Sequence, residues 1–168
     1  MHKRGLSAVV ATVILVALAV GLTVVVWTSV NNLILPKMEH AEACSNTFDQ
    51  IEINKAYTCY NESAGETIFS ITRKELEVDS LLVAVEYAGS SKLFELSEAP
   101  SNIDDLVLYP SRDASVYLPT AGGGRTYIIL SSSGITFPTK IRIAPKIDGE
   151  LCDTIDTISI IESCLLLG

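Results

Sequence analysis

The stretch KRGLSAVVATVILVALAVGLTVVVWTSVNNLILP, Lys3 to Pro36, decides the architecture of this chain. Two cations and a glycine abut the thirty residues Leu6–Leu35, none of them charged, and Pro36 ends the run. At the 1.5 Å rise of a helix the run would reach about 45 Å. Leu6 to Trp27 alone would span about 33 Å, close to the hydrocarbon core of a bilayer. Trp27 then falls where an interfacial aromatic belongs, with Thr28, Ser29, Asn31 and Asn32 after it. His2, Lys3 and Arg4 flank the run on its N-terminal side. The positive-inside rule therefore keeps that end cytoplasmic and sends the remainder outside.

A cleaved secretion signal would treat the segment differently. Ala17-Leu18-Ala19 satisfies the small-x-small cleavage pattern, but VGLTVVVW carries the apolar run through that point without a polar break. The segment therefore reads as retained. Apolar residues cover every face of such a helix, and Ser7, Ala8, Ala11, Thr12, Ala17, Ala19 and Gly21 are interspersed in its first part. Small residues let helices approach closely where lipid offers no hydrophobic driving force. A β-branched-rich membrane span is the plainer account of the same composition.

Basic-basic-Gly followed by LSAVVATVILVALAVGLTVVVW resembles the N-terminus of archaeal type IV pilins and the related archaellins, over residues 3–36. The resemblance implies a class III signal peptide: a leader, residues 1–5, recognised by a prepilin peptidase through Lys3, Arg4 and Gly5 and cut before Leu6. Loss of Lys3 and Arg4 would move the formal net charge from −8 to −10. It implies, further, that helix 6–35 first sits in the membrane. The helix then packs with copies of itself as the core of an extracellular filament serving adhesion. Bacterial type IV pilins carry a glutamate five residues into the mature helix. This chain has Val10 there, as fits the archaeal branch. Two other readings stand beside this one. One is an archaellin of a motility filament, although archaellins more typically start their helix with a glycine-rich pattern that is missing here. The other is a membrane-anchored extracellular binding or adhesin module, or minor pilin, that never polymerises.

The 168 residues suffice for one ordinary domain and a terminal segment. Beyond Pro36 roughly 130 residues remain, enough to bury a real core. With a net charge of −8 and no run of five Lys/Arg, a nucleic-acid partner is excluded, because phosphate binding needs a basic stripe. Cys44, Cys59, Cys152 and Cys164 all lie beyond the apolar segment. They read as disulfides, in keeping with a domain outside the cell. Free buried thiols are the alternative. Zinc is disfavoured, because no C-x-x-C pair exists and the nearest histidine is His40. Three connectivities are possible and all stay open. If the pairs are local, Cys44–Cys59 ties the helix-to-domain junction and Cys152–Cys164 clips a terminal hairpin, each stabilising by about 3 kcal/mol.

Residues 36–49 read as a linker with a short helix, and residues 50–168 as a β-rich domain. IEINKAYTCY and TIFSITR alternate with period two. SLLVAVEYA, KLFELS, DLVLYP, ASVYLP, RTYIILS, TKIRIAPKI and TISIIES are further strands, separated by Asn61, Gly65, Gly89, Pro100, Gly122-Gly123-Gly124, Gly134 and Asp148-Gly149. Seven to nine short strands at this spacing predict a β-sandwich or open barrel behind the helix. Asp148-Gly149 is the sharpest hairpin signal.

Chemistry is thinly represented. His2 and His40 lie outside the β-region, so nucleophilic catalysis finds no obvious base there. Gly122-Gly123-Gly124-Arg125 lacks the Lys-Ser/Thr of a phosphate loop and reads as a hairpin turn between VYLP and TYIIL. Asp104-Asp105 and Asp153/Asp156 lack calcium-loop spacing and read as solvated faces. No cofactor, metal or enzymatic activity is expected. Tyr57, Tyr60, Tyr87, Tyr109, Tyr117 and Tyr127 read mainly as core or cross-strand pairs. Asn61-Glu62-Ser63 is an N-glycosylation sequon in a surface turn.

Overall fold

The computed structural model describes residues 4–33, 44–45 and 47–164, which fall into two compact units, Met1–Glu42 and Ala43–Gly168. In the first unit a single helix, α1, runs Arg4–Leu33. Val, Leu, Ile and Ala make it apolar throughout, and its backbone polar groups are satisfied along its own axis. The expected helix boundary of residues 6–35 is met to within two residues at its start, while residues 34 and 35 lie outside the described residues. The linker at 36–49 lies largely outside them too.

The second unit is built on two sheets. The first centres on β3 (Glu66–Arg73), with β9 (Gly123–Ile129) antiparallel on one side and β7 (Leu106–Leu108) beyond it. The other edge of β3 is shared end to end by β1 (Ile51–Ile53) and β2 (Cys59–Asn61), and β13 (Glu162–Ser163) joins β2 in parallel. The second sheet runs β11 (Glu150–Leu151), β10 (Lys140–Ile147), β4 (Ser80–Tyr87), β5 (Ser90–Ser97). There β12 (Asp156–Ile158) lies beside β11 on the same flank of β10. A two-stranded ribbon, β6 (Ser101–Asn102) and β8 (Ser115–Val116), completes the unit.

Alternation puts one face of each sheet inside. Phe69, Ile71, Tyr127 and Ile129 of the first sheet share one core with Leu81, Val83, Val85, Phe94, Leu96, Ile141 and Ile143 of the second. Phe69 and Tyr127 stack with ring centroids 5.1 Å apart. The chain is thus mainly β behind a long N-terminal apolar helix, as its patterning predicts. Pro145 fits inside β10 because the flank that loses its N–H lies between β12 and β11. There its carbonyl accepts from Cys152 N at 2.9 Å.

Asp148 and Gly149 both take positive φ, 51° and 82°, and close the β10–β11 hairpin as predicted. Two expectations fail. IEINKAYTCY is not one strand: the Asn54 side chain accepts from Ala56 N at 3.1 Å and starts a 3₁₀ turn, Lys55–Tyr57, that divides it into β1 and β2. Nor is Gly122–Gly124 a hairpin turn, because β8 pairs with β6 and not with β9. Gly122 N donates to Lys74 O at 3.0 Å, so the glycines lead β9 onto β3 from a loop. At Gly123 a Cβ would come within 2.8 Å of Thr120 Oγ1, so any side chain there would force Thr120 to shift.

Candidate functional site

From Val9 to Asn32, α1 is long and apolar enough to cross a membrane, and none of that span is buried. Leu15, Leu22 and Trp27 each expose about two thirds of their surface, and exposed valines lie between them on every face. A helix apolar all round is buried in something. The hydroxyls of that span are already satisfied. Thr12, Thr23, Thr28 and Ser29 donate to Val9 O, Ala19 O, Val25 O and Val25 O at 2.8–3.0 Å. The surface offered outward is therefore apolar in its side chains and closed in its hydroxyls.

Two local features of α1 are not explained by helix stability. Gly21 costs about 1 kcal/mol against alanine in a helix interior, yet a Cβ there would touch nothing within 4 Å. It lies one turn from Ala17, so the two form a small-residue notch on one face. Arg4 also stands at the helix start, where the macrodipole disfavours a cation by about 0.3–1 kcal/mol. α1 has no acid in its first turn to offset this. The backbone at Arg4, Gly5 and Leu6 is already helical, while Lys3 lies outside the described residues.

The four cysteines form two disulfides, and the pairing is not local. Cys44 joins Cys152, and Cys59 joins Cys164, with Cα–Cα distances of 5.5 and 5.0 Å and sequence separations of 108 and 105. Each binds one end of the β-unit to the sheet framework: Cys44 precedes β1, and Cys164 follows β13, its N–H donating to Tyr60 O at 3.0 Å. A lone 100-residue loop is stabilised by about 4.7 kcal/mol in the chain-entropy account. The second bridge closes a far shorter path once the first is made, because the arms Cys44–Cys59 and Cys152–Cys164 are only 15 and 12 residues. It then contributes between about 3 and 4 kcal/mol.

The other singled-out residues are accounted for locally. Asp105 Oδ2 accepts from Lys92 Nζ and its Oδ1 from Ser132 Oγ, both at 2.6 Å, so this carboxylate joins β5 to a loop. Asp156 Oδ2 accepts from Ile53 N at 2.8 Å and caps the outer edge of β1. Tyr60 and Tyr127 are core residues, whereas Tyr57 and Tyr109 are exposed and Tyr87 and Tyr117 half-buried. Tyr127 donates its hydroxyl to Tyr117 O at 2.7 Å, and burial holds its phenol well above the ordinary range. His40 lies outside the described residues, among which no group of three or more His, Cys, Asp or Glu could hold a metal ion.

Arg73 is the residue that sequence patterning misses. Its guanidinium is 4% exposed, donating from Nε to Leu76 O at 2.7 Å and from Nη1 to Pro119 O at 3.3 Å. Both Nη atoms reach Glu98 Oε1 at 3.0 Å. Its position at the inward end of the β3 alternation was the available signal. The Asn61 side chain, half-buried at the end of β2, is held in the turn that leads to β3. No protein-family model, curated protein or solved structure matches this chain.

Proposed function

We propose that the chain is a structural pilin subunit of an archaeal type IV pilus-like surface filament that serves adhesion, and that it acts by assembly and not by catalysis. One observation carries the reading: α1 is apolar and exposed on every face over a membrane-spanning length, with its hydroxyls internally bonded. Such a helix is covered by lipid or by other helices. Passing from one to the other exchanges apolar surface for apolar surface and breaks no backbone hydrogen bond. The Ala17–Gly21 notch gives a neighbouring helix room for close approach. Lys3, Arg4 and Gly5 then find their purpose as the recognition sequence of a prepilin peptidase that cuts before Leu6, since helix stability does not call for them. The paired cysteines support an extracellular β-domain, because disulfides persist outside the cytoplasm.

The test is the N-terminus of the membrane and surface forms, read by mass spectrometry. A start at Leu6, with Gly5→Leu blocking it, is the expected result. An intact Met1 or a start after Ala19 overturns the processing route. Sheared surface filaments containing the chain are the second expected result; a processed chain found only in membranes indicates an anchored module in place of a polymer.

A further inference from the structure

We infer that Asn61 is a modification site that carries an N-linked glycan, an inference resting on the extracellular placement just proposed. The sequon Asn61-Glu62-Ser63 occupies the turn between β2 and β3, and Glu62, Ser63 and Ala64 are exposed. Asn61 Oδ1 accepts from Ser63 Oγ at 2.8 Å and from Ala64 N at 3.2 Å, while Gly65 N donates to Asn61 O at 2.8 Å. The amide oxygen is therefore fully used by the turn, and among the described residues Nδ2 makes no hydrogen bond. The turn thus fixes the side chain through its oxygen and leaves the nitrogen open to an incoming group.

Behind the turn space is tight. Gly65 has φ 67°, and a Cβ there would stand 3.3 Å from Ser131 Cβ, so the turn is pinned against the 3₁₀ turn Ser131–Ser133. The open side is the Glu62–Ala64 side. In the β2–β3 register Asn61 lies opposite Glu66, which is bound by Arg112, and both belong to the outer face of the first sheet. A glycan at Asn61 thus extends from a face that the core does not use.

The donor is an oligosaccharide carried on a membrane lipid phosphate, transferred by a separate enzyme. Nδ2 attacks the anomeric carbon, the N–C bond forms as the carbon–oxygen bond to phosphate breaks, and the electron pair leaves with the lipid phosphate. One Nδ2 proton passes to a base of the transferase. The reaction requires no oxidant or reductant.

The test is peptide mass spectrometry on the full chain isolated from its own cells, alongside the protease accessibility of the β-domain in intact cells. The expected result is a tryptic peptide Ala56–Arg73 heavier by whole sugar residues. Asn61→Gln and Ser63→Ala abolish the increment and Ser63→Thr restores it. A protease-accessible domain with Asn61 at its unmodified mass overturns the glycan alone. An inaccessible domain without the increment overturns both the glycan and the extracellular placement. An increment that survives Ser63→Ala overturns the sequon assignment.

Discussion

Asp105 shows how much a single side chain does in this fold. Its backbone takes a left-handed φ of 64°, and its carbonyl accepts from Leu130 N at 2.9 Å. The hydrogen bond from Lys92, then that from Ser132, hold its carboxyl below the usual carboxylate range. A carboxylate depressed in the folded state adds stability that is present above the unfolded value of about 4 and is lost as pH falls through the folded value. Asp105→Asn, which tolerates the same backbone conformation, is therefore expected to be less stable than the parent at pH 6 and to converge with it towards pH 2. Urea midpoints with the disulfides intact measure this; an equal gap at both pH values excludes the charge as its source. Lys92 also turns a charge inward on β5, the outermost strand of the second sheet, which discourages edge-to-edge pairing with other chains.

At the scale of elements, α1 concentrates the functional argument. Leu15 lies mid-span and exposes 68% of its surface. Leu15→Arg places a cation at the helix centre, where insertion costs about 2.5–3.5 kcal/mol. The expected outcome is a several-fold loss of the alkali-resistant membrane form and no surface filaments, while the separately folded β-unit keeps its unfolding midpoint. Unchanged filament yield would show that the helix is not their core.

Most elements were legible in the sequence for a physical reason. A run without charge has one stable solution in lipid, and alternation such as Phe69, Ile71, Arg73 declares an inward face before any partner is known. What stayed illegible was pairing. The glycines at 122–124 announce a turn but cannot say that β8 will seek β6. Cys44 and Cys59 look local at 15 residues apart, yet each finds its partner more than 100 residues away, a property of the folded sheets alone. Asn54 did carry a local signal, because a side chain able to cap a 3₁₀ turn stood inside an otherwise strand-like run. In the candidate site the basic residues and glycine that open the apolar run were readable as a pattern, and the buried bonding of Arg73 was not.

For the molecule as a whole, the interleaved bridges decide how it bears tension. Tension applied across the β-unit, from residue 44 to residue 164, meets both bridges. Cys44 with Cys152 makes one anchor point and Cys59 with Cys164 another, joined by three lengths of chain in parallel. The shortest, Cys152–Cys164, goes taut after 12 residues, or about 40 Å, and the long middle length that forms most of both sheets stays slack. Single-molecule stretching between handles beside residues 44 and 164 is expected to release no more than about 40 Å while the bridges are closed, and about 400 Å once they are reduced. Local pairing would give about 310 Å in the oxidised protein, so the same trace tests the connectivity. Extension is thereby bounded: β12 and β13, which lie on the short arm, give way first, and force then runs from one covalent knot to the other while the long middle length stays folded.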